Sequence, residues 1–337
     1  MLKVTVVLLG DGLASTALGP LEVFFAAGML FQTLKGETPK PLFEVTTASI
    51  DGKGVSAAYG LGLTPQNSID DIERTDIIIV PTSGTEVDLK LVENSALLPW
   101  LRKHHALGAY IAGTCMGSVY LAEAGLLDGR EATTHWASAD DFARRYPRVK
   151  WRPELFVTED ARLLCSGGVT SAIDVSLYLV EKLVGHDFAV QTAKALLHPM
   201  PRLSQSGYAV LPFSPPHEDA RIRKVESHIQ RHFRDDLCVD DLAERFGMSG
   251  RTLLRRFKAA TGRLPGAYVQ AVRVEMAKAI LERERTSVQS VASAVGYEDV
   301  SFFRSIFKRC TGMTPGEYRS HFGKQNIRAQ EAREQPI

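Results

Sequence analysis

Eight residues of this chain return fifty positions later in the same pattern. Thr261-Gly262-Arg263-Leu264-Pro265-Gly266-Ala267-Tyr268 reappears as Thr311-Gly312-Met313-Thr314-Pro315-Gly316-Glu317-Tyr318, and both read TGxxPGxY. Upstream, Ala243 and Gly247 match Ala292 and Gly296 at an offset of 49, so the second copy carries one extra residue in its turn. Self-similarity at a fixed period means that a supersecondary unit has been duplicated. Each copy reads as two helices around a tight turn. In the first, Val239, Leu242 and Phe246 are the apolar positions of a short helix, Ala243 leaves room for the helix that crosses it, and Gly247 supplies a left-handed turn. Ser249 is the expected N-cap of the following helix, and Asp299 is its counterpart.

The second helix of each copy separates two faces. At about 100° per residue, Leu253, Leu254 and Phe257 share one arc, while Arg251, Thr252, Arg255 and Arg256 share the opposite one, with Lys258 at its edge. In the second copy Phe302, Phe303, Ile306 and Phe307 form the expected buried arc, and Ser301, Arg304, Ser305 and Lys308 face outward. A polar, basic second helix is what reading a major groove requires: arginine bridges guanine edges, serine and threonine adapt, and further cations hold phosphates. The competing reading, solvated faces of an ordinary helical bundle, fits one such helix better than two in register. The stretch from Ala267 to Arg283 reads as one helix of ~17 residues, ~26 Å long. With its turns, it sets the two recognition helices about one DNA turn apart, ~34 Å. The expected partner is double-stranded DNA, read as promoter half-sites in adjacent major grooves.

Charge agrees with this division. Residues 217–337 carry 22 Lys and Arg against 16 Asp and Glu, whereas residues 1–216 carry 18 against 23, so only the back half suits a polyanion. Five of the 16 prolines (Pro199, Pro201, Pro212, Pro215, Pro216) fall within 18 residues, which reads as a semi-rigid linker. The 337 residues thus divide into an expected α/β domain at 1–198, a linker at 199–217, a helical domain at 218–323 and a frayed tail at 324–337. No apolar run approaches the ~18 residues of a membrane span, and the N-terminus lacks a signal-peptide pattern. Cys115, Cys165, Cys238 and Cys310 lie far apart with no CxxC pair. A cytoplasmic protein is expected, with no membrane partner, metal or cofactor. Cys165, Cys238 and Cys310 read as core residues, His104-His105 as a solvated helix end, and His228 and His232 as a helix surface rather than metal ligands.

In the front half, short runs rich in Val, Ile, Leu and Phe at 4–9, 43–48, 76–80 and 109–112 read as strands buried on both faces. Helical patterns intervene at 18–34, 87–106, 117–124 and 170–184. Alternation of this kind predicts a doubly wound, flavodoxin-like parallel sheet that binds ligands at the carboxyl ends of its strands. At one such end stands Gly113-Thr114-Cys115-Met116-Gly117, the cysteine form of a nucleophile elbow. The helix behind it is expected to lower the thiol pKa, and backbone N–H groups at Met116 and in Thr82-Ser83-Gly84 to bind an oxyanion or carboxylate.

Two resemblances complete the reading. Residues 218–322, through Gly296-Tyr297, Phe303, Phe307-Lys308 and the repeated TGxxPGxY, resemble the AraC/XylS class of bacterial transcription regulators, whose module is a pair of helix-turn-helix units. That class often has arginine where Ser305 stands, which moves weight onto Arg304. The front half, through Gly19-Pro20-Leu21-Glu22-Val23-Phe24, Cys115 and Ser166-Gly167-Gly168, resembles the ThiJ/PfpI-like domains of the class I glutamine amidotransferase-like superfamily. It is closest to the subgroup fused to an AraC-type module, where Ala124-Gly125-Leu126-Leu127-Asp128-Gly129 and Thr133-Thr134-His135-Trp136 recur. The resemblance implies that Glu22 lies beside Cys115, with His135 near the same cleft.

Peptidase-like members of that superfamily place histidine directly after the nucleophile, where this chain has Met116, and the downstream His-x-Glu pair of the amidotransferases is absent. The expected function is therefore a DNA-binding transcription regulator, more often an activator. Its small-molecule effector, an amine or amino-acid derivative, is held by Glu22, Gly84, Cys115, Met116 and His135, with Cys115 a vestigial nucleophile position. RNA polymerase and a second copy of the chain are the further expected partners. The alternatives are a Cys115-dependent hydratase or glyoxalase-like enzyme, and a redox sensor acting through Cys115.

Overall fold

The computed structural model describes residues 1–200, 205–209, 214 and 217–323. Most of the proline-rich stretch and the tail at 324–337 lie outside the described residues. The chain divides into two compact units between Gln205 and Ser206.

The first unit is built on seven strands: β1 (Leu2–Val7), β2 (Phe43–Ser49), β3 (Asn67–Ser68), β4 (Ile77–Val80), β5 (Tyr110–Thr114), β6 (Val157–Asp160) and β7 (Leu163–Ser166). Their order across the sheet is β6-β7-β5-β4-β1-β2-β3. All neighbours run parallel except the β6–β7 hairpin at one edge. The order reverses at β1, which makes the ends of β1, β4 and β5 the ligand-binding side of a doubly wound sheet.

The strands are apolar throughout because both faces are covered. Ile77 and Ile79 point to one face and pack with Phe24 of helix Ser15–Ala26 and Val175 of helix Ser171–Val184. Ile78 and Val80 point to the other and pack with Leu101 of helix Leu97–Ala106 and Tyr120 of helix Ser118–Glu123. His104 is fully buried in this layer against Trp100, at 4.5 Å between ring centroids, rather than solvated at a helix end. Its place in the apolar stripe of the helix decides that.

The second unit has seven helices among the described residues: Ala220–His232, Val239–Arg245, Gly250–Thr261, Pro265–Arg283, Val288–Ala294, Val300–Thr311 and Pro315–Phe322. Two cores form, one per helix-turn-helix copy, and the long helix Pro265–Arg283 serves both. Tyr268, Val269 and Val272 enter the first core, and Val274, Ala277 and Leu281 enter the second.

The duplicated motif now has a physical content. Thr261 Oγ1 donates to Phe257 O at 2.7 Å and accepts from Arg263 N–H at 3.2 Å, while Thr311 does the same with Phe307 at 2.8 Å and Met313 at 3.2 Å. Gly262 and Gly312 adopt left-handed φ values of 74° and 75°, which end both recognition helices. Pro265 and Pro315 open the next helices, where a missing N–H costs nothing. Tyr268 and Tyr318 pack edge-on against Phe257 and Phe307, with centroids at 5.3 Å and 5.5 Å. Ser249 and Asp299 are the N-caps, as the sequence predicts.

Candidate functional site

Cys115 follows the carboxyl end of β5, the strand between β4 and β7. Its φ of 56° is left-handed, the strained backbone of a nucleophile elbow. The flanking glycines make that turn possible. A Cβ on Gly113 would lie 2.7 Å from Ser118 Cα, and one on Gly117 would lie 2.2 Å from Val80 O. The Cys115 carbonyl accepts from Ser118 Oγ at 3.2 Å and from Thr134 Oγ1 at 3.1 Å. The loop after β4 closes over the elbow, with Thr82 and Ser83 buried and Ser83 Oγ hydrogen-bonded to the Tyr120 hydroxyl. Met116, the next residue, is half-buried, and Gly84, at φ 92°, is half-buried near Asp11, where a Cβ would lie 3.4 Å from the Asp11 carbonyl oxygen.

Burial disfavours the thiolate form of Cys115. Cys115 is 5% exposed, and burial pushes its pKa up to about 11 against a single opposing hydrogen bond from the Met116 backbone. This reverses the expectation of a lowered pKa: lost hydration of the thiolate outweighs one backbone N–H. Among the described residues no side chain is hydrogen-bonded to Sγ.

His135 lies in the loop that Thr134 ties to the elbow. Its Nδ1 accepts from Ala137 N–H at 3.1 Å, which leaves the ring proton on Nε2, and burial lowers its pKa so that the ring stays neutral. The ring edge faces Gly168, where a Cβ would lie 3.6 Å from Cδ2. Cys115 and His135 therefore sit on adjoining loops without a direct bond.

Glu22 is placed differently from the expectation. It occupies the exposed face of helix Ser15–Ala26 and makes no hydrogen bond or ion pair among the described residues. The residue of this helix that reaches the elbow is Thr16, fully buried: its Oγ1 accepts from Thr82 N–H and its carbonyl from Thr114 Oγ1, both at 3.3 Å. Thr16 shares the buried stripe with Pro20, Val23 and Phe24, and position 22 falls off that stripe.

In the second unit, Arg251, Arg255 and Lys258 are exposed on the first recognition helix, and Ser301, Arg304, Ser305 and Lys308 on the second. Arg251, Arg255 and Lys258 line a groove of about 540 Å³ together with half-buried Leu254 and exposed Leu264. Thr252 is half-buried, its hydroxyl accepting from Ser249 Oγ at 2.9 Å. Arg256 is withdrawn from the basic face. Its guanidinium grips Asp219 through two hydrogen bonds at 2.9 Å and 2.7 Å, and that pairing holds the Asp219 carboxyl below the usual carboxylate range. Arg256 stands where the second copy has buried Ile306; its own side chain is 32% exposed, and the bonds to Asp219 hold the guanidinium at the start of helix Ala220–His232.

Phe302, expected to be buried, is 52% exposed beside the polar face of its helix. Cys238 and Cys310 are exposed rather than core, and Cys238 Sγ accepts from Asp241 N–H as the N-cap of its helix. Among the described residues no group of three or more His, Cys, Asp or Glu is placed to hold a metal ion, and no helix is long and apolar enough to cross a membrane.

Comparison with known proteins agrees with both halves. Residues 26–182 match the DJ-1/PfpI family, and residues 242–321 match a helix-turn-helix domain family. The HTH-type transcriptional regulator CdhR of Pseudomonas aeruginosa is 31% identical over 287 residues, covering 83% of this chain and 82% of that protein. The chain belongs to the AraC-type transcriptional regulators that carry a DJ-1/PfpI domain. Drosophila melanogaster DJ-1beta shares the fold of the regulator's first unit, with a TM-score of 0.50 at 21% identity, over 59% of this chain and 98% of that one. The isonitrile hydratase of Pseudomonas putida is 38% identical over 136 residues, 40% of the regulator and 57% of that enzyme. The regulator is a DNA-binding transcription regulator.

Proposed function

We propose that the DJ-1/PfpI half, about residues 1–198, is a sensor that binds a small metabolite above Cys115 without turning it over. Ligand occupancy then shifts the affinity of the helix-turn-helix half, about residues 218–323, for paired promoter half-sites. The observation that carries this reading is a left-handed Cys115 between two glycines that no larger residue could replace, around a thiol that is 5% exposed and, among the described residues, has no side chain hydrogen-bonded to Sγ. A strained turn of that kind is useful as a shaped anion cradle as well as for catalysis. Met116, Gly84 and the Nε2–H of His135 supply the contacts, which suits a carboxylate-bearing amine or amino-acid derivative. The regulator then works in the cytoplasm as a homodimer that activates transcription by engaging RNA polymerase.

The likeness to isonitrile hydratase favours one second reading, a Cys115-dependent hydration. Ligand-observed proton NMR on the full chain, mixed with pools of amines, amino acids and betaines, separates the two. Selective broadening of one compound with no change overnight is expected. New product signals that vanish in Cys115→Ser would refute the sensor reading and establish an enzyme.

A further inference from the structure

The last residue of the first unit is a glutamine seated inside it. Gln205 is 1% exposed although it borders the proline-rich stretch. Its backbone N–H donates to Glu154 O at 2.9 Å. Its Nε2 donates to Thr134 O at 2.9 Å, to Leu155 O at 3.0 Å and to Thr133 Oγ1 at 3.2 Å. The seat is shaped for it, since a Cβ on Gly167 would lie 2.6 Å from Gln205 Oε1.

Two features make this more than a packed linker end. First, the bonds lead to the elbow: Thr134, which holds Nε2 through its carbonyl, donates its hydroxyl to Cys115 O at 3.1 Å, and the next residue is His135. Second, the seat is incompletely satisfied. Gln205 Oε1 is buried and has no hydrogen-bond partner among the described residues. A buried acceptor left unmet weakens the seated state relative to one in which the amide reaches water. Within the second unit the chain is held again almost at once, by Lys278 Nζ donating to Ala209 O at 2.7 Å.

We propose that Gln205 is a latch that couples the Cys115 cleft to the linker. Displacement of the 133–135 loop by an occupant of the cleft unseats Gln205, and loss of Gln205 loosens the elbow loop in return. Gln205 is a positioning residue: it acts through Thr134 and does not touch the cleft's occupant. The inference rests on the sensor reading only in taking the Cys115 cleft as the input.

Reciprocity is the mark of coupling, and it is measurable with no small molecule present. Amide hydrogen exchange on the full chain would be followed in Gln205→Met, which keeps length and apolar bulk but cannot donate, and in Thr134→Val, which keeps shape but loses the bond to Cys115 O. Gln205→Met is expected to speed exchange of amides in 133–138 and 113–118 about tenfold or more, with the amides of β1 and β4 unchanged. Thr134→Val is expected to speed exchange of the Gln205 amide, its reporter bond to Glu154, by a similar factor. Acceleration in one direction only would make Gln205 a packing plug and overturn the proposal, as would no change in either. If the reciprocal effect is present while the NMR screen finds turnover, the sensor reading fails and the latch stands.

Discussion

Alkylation kinetics at Cys115 test the central electrostatic claim. A thiol whose pKa is pushed up to about 11 is thiolate in about one molecule in 10⁴ at pH 7, against about 3% for an ordinary cysteine near 8.5. Iodoacetamide should therefore modify Cys115 about 300-fold more slowly than a free thiol, before its 5% exposure slows the reaction further. Cys238 and Cys310, both exposed, are references within the same molecule. The assay is peptide-resolved mass spectrometry of the native chain from pH 6 to 10. The Cys115 rate should still be climbing at the highest pH. A rate at pH 7 equal to that of Cys238 or Cys310, or a plateau reached below pH 8, would mean an activated thiolate and would refute the reasoning. Stability carries the same signature. The folded state holds this proton to higher pH than the unfolded state does, so the thiol's contribution is complete below about pH 8.5 and is lost as pH rises through its folded value. The loss amounts to ~3 kcal/mol at most. Cys115→Ser should flatten that part of the alkaline stability profile while the buried Cys165 thiol, raised to about 12, contributes equally to both proteins.

Three further outcomes are expected. Arg255→Ala should weaken specific DNA binding about 5- to 150-fold, or ~1–3 kcal/mol, whereas Arg256→Ala should lower the melting temperature of the helical unit and leave the base preference intact; fluorescence anisotropy with single-base duplex variants and thermal melts distinguish the two, and an altered base preference in Arg256→Ala would show that its guanidinium leaves Asp219 to meet DNA. Gly117→Ala should destabilise the α/β unit by at least ~2 kcal/mol in urea titration, because the new Cβ would meet Val80 O at 2.2 Å; a loss under ~0.5 kcal/mol would mean that the elbow relaxes freely. DNA affinity should fall steeply with salt, with a log–log slope of about −3.6 if Arg251, Lys258, Arg304 and Lys308 all meet phosphates, and a flat response would point to a protein-binding bundle instead.

Local patterns made most of this architecture legible. The TGxxPGxY pair works through bonds between residues a few positions apart, so Thr, Gly, Pro and Tyr could each be assigned a task before any packing was known. Ser249 and Asp299 were readable as caps for the same reason: a cap bonds to its own helix two or three residues on. The Gly113–Gly117 elbow was equally visible, since its strain is confined to one turn. The residues misplaced by sequence reading are those whose environment comes from elsewhere in the chain. Arg256 has its role decided by Asp219, 37 positions away. The Thr16 position is defined by the loop after β4, and His104 by the core layer it enters.

Burial makes the same division. Periodicity says which face of a helix turns inward, but not how completely a neighbouring loop covers it. Leu254 and Phe302 thus read as core yet remain half-buried and exposed, respectively. Cys115 is the sharpest case. Its position at a strand-to-helix elbow was determined by the order of glycines around it, because backbone conformation is a local property. Whether that thiol is a nucleophile was decided by the tertiary structure, because pKa depends on how much water and charge reach the sulfur. Those are set by the loop after β4 and the 133–135 loop, which meet the elbow only once the chain has folded.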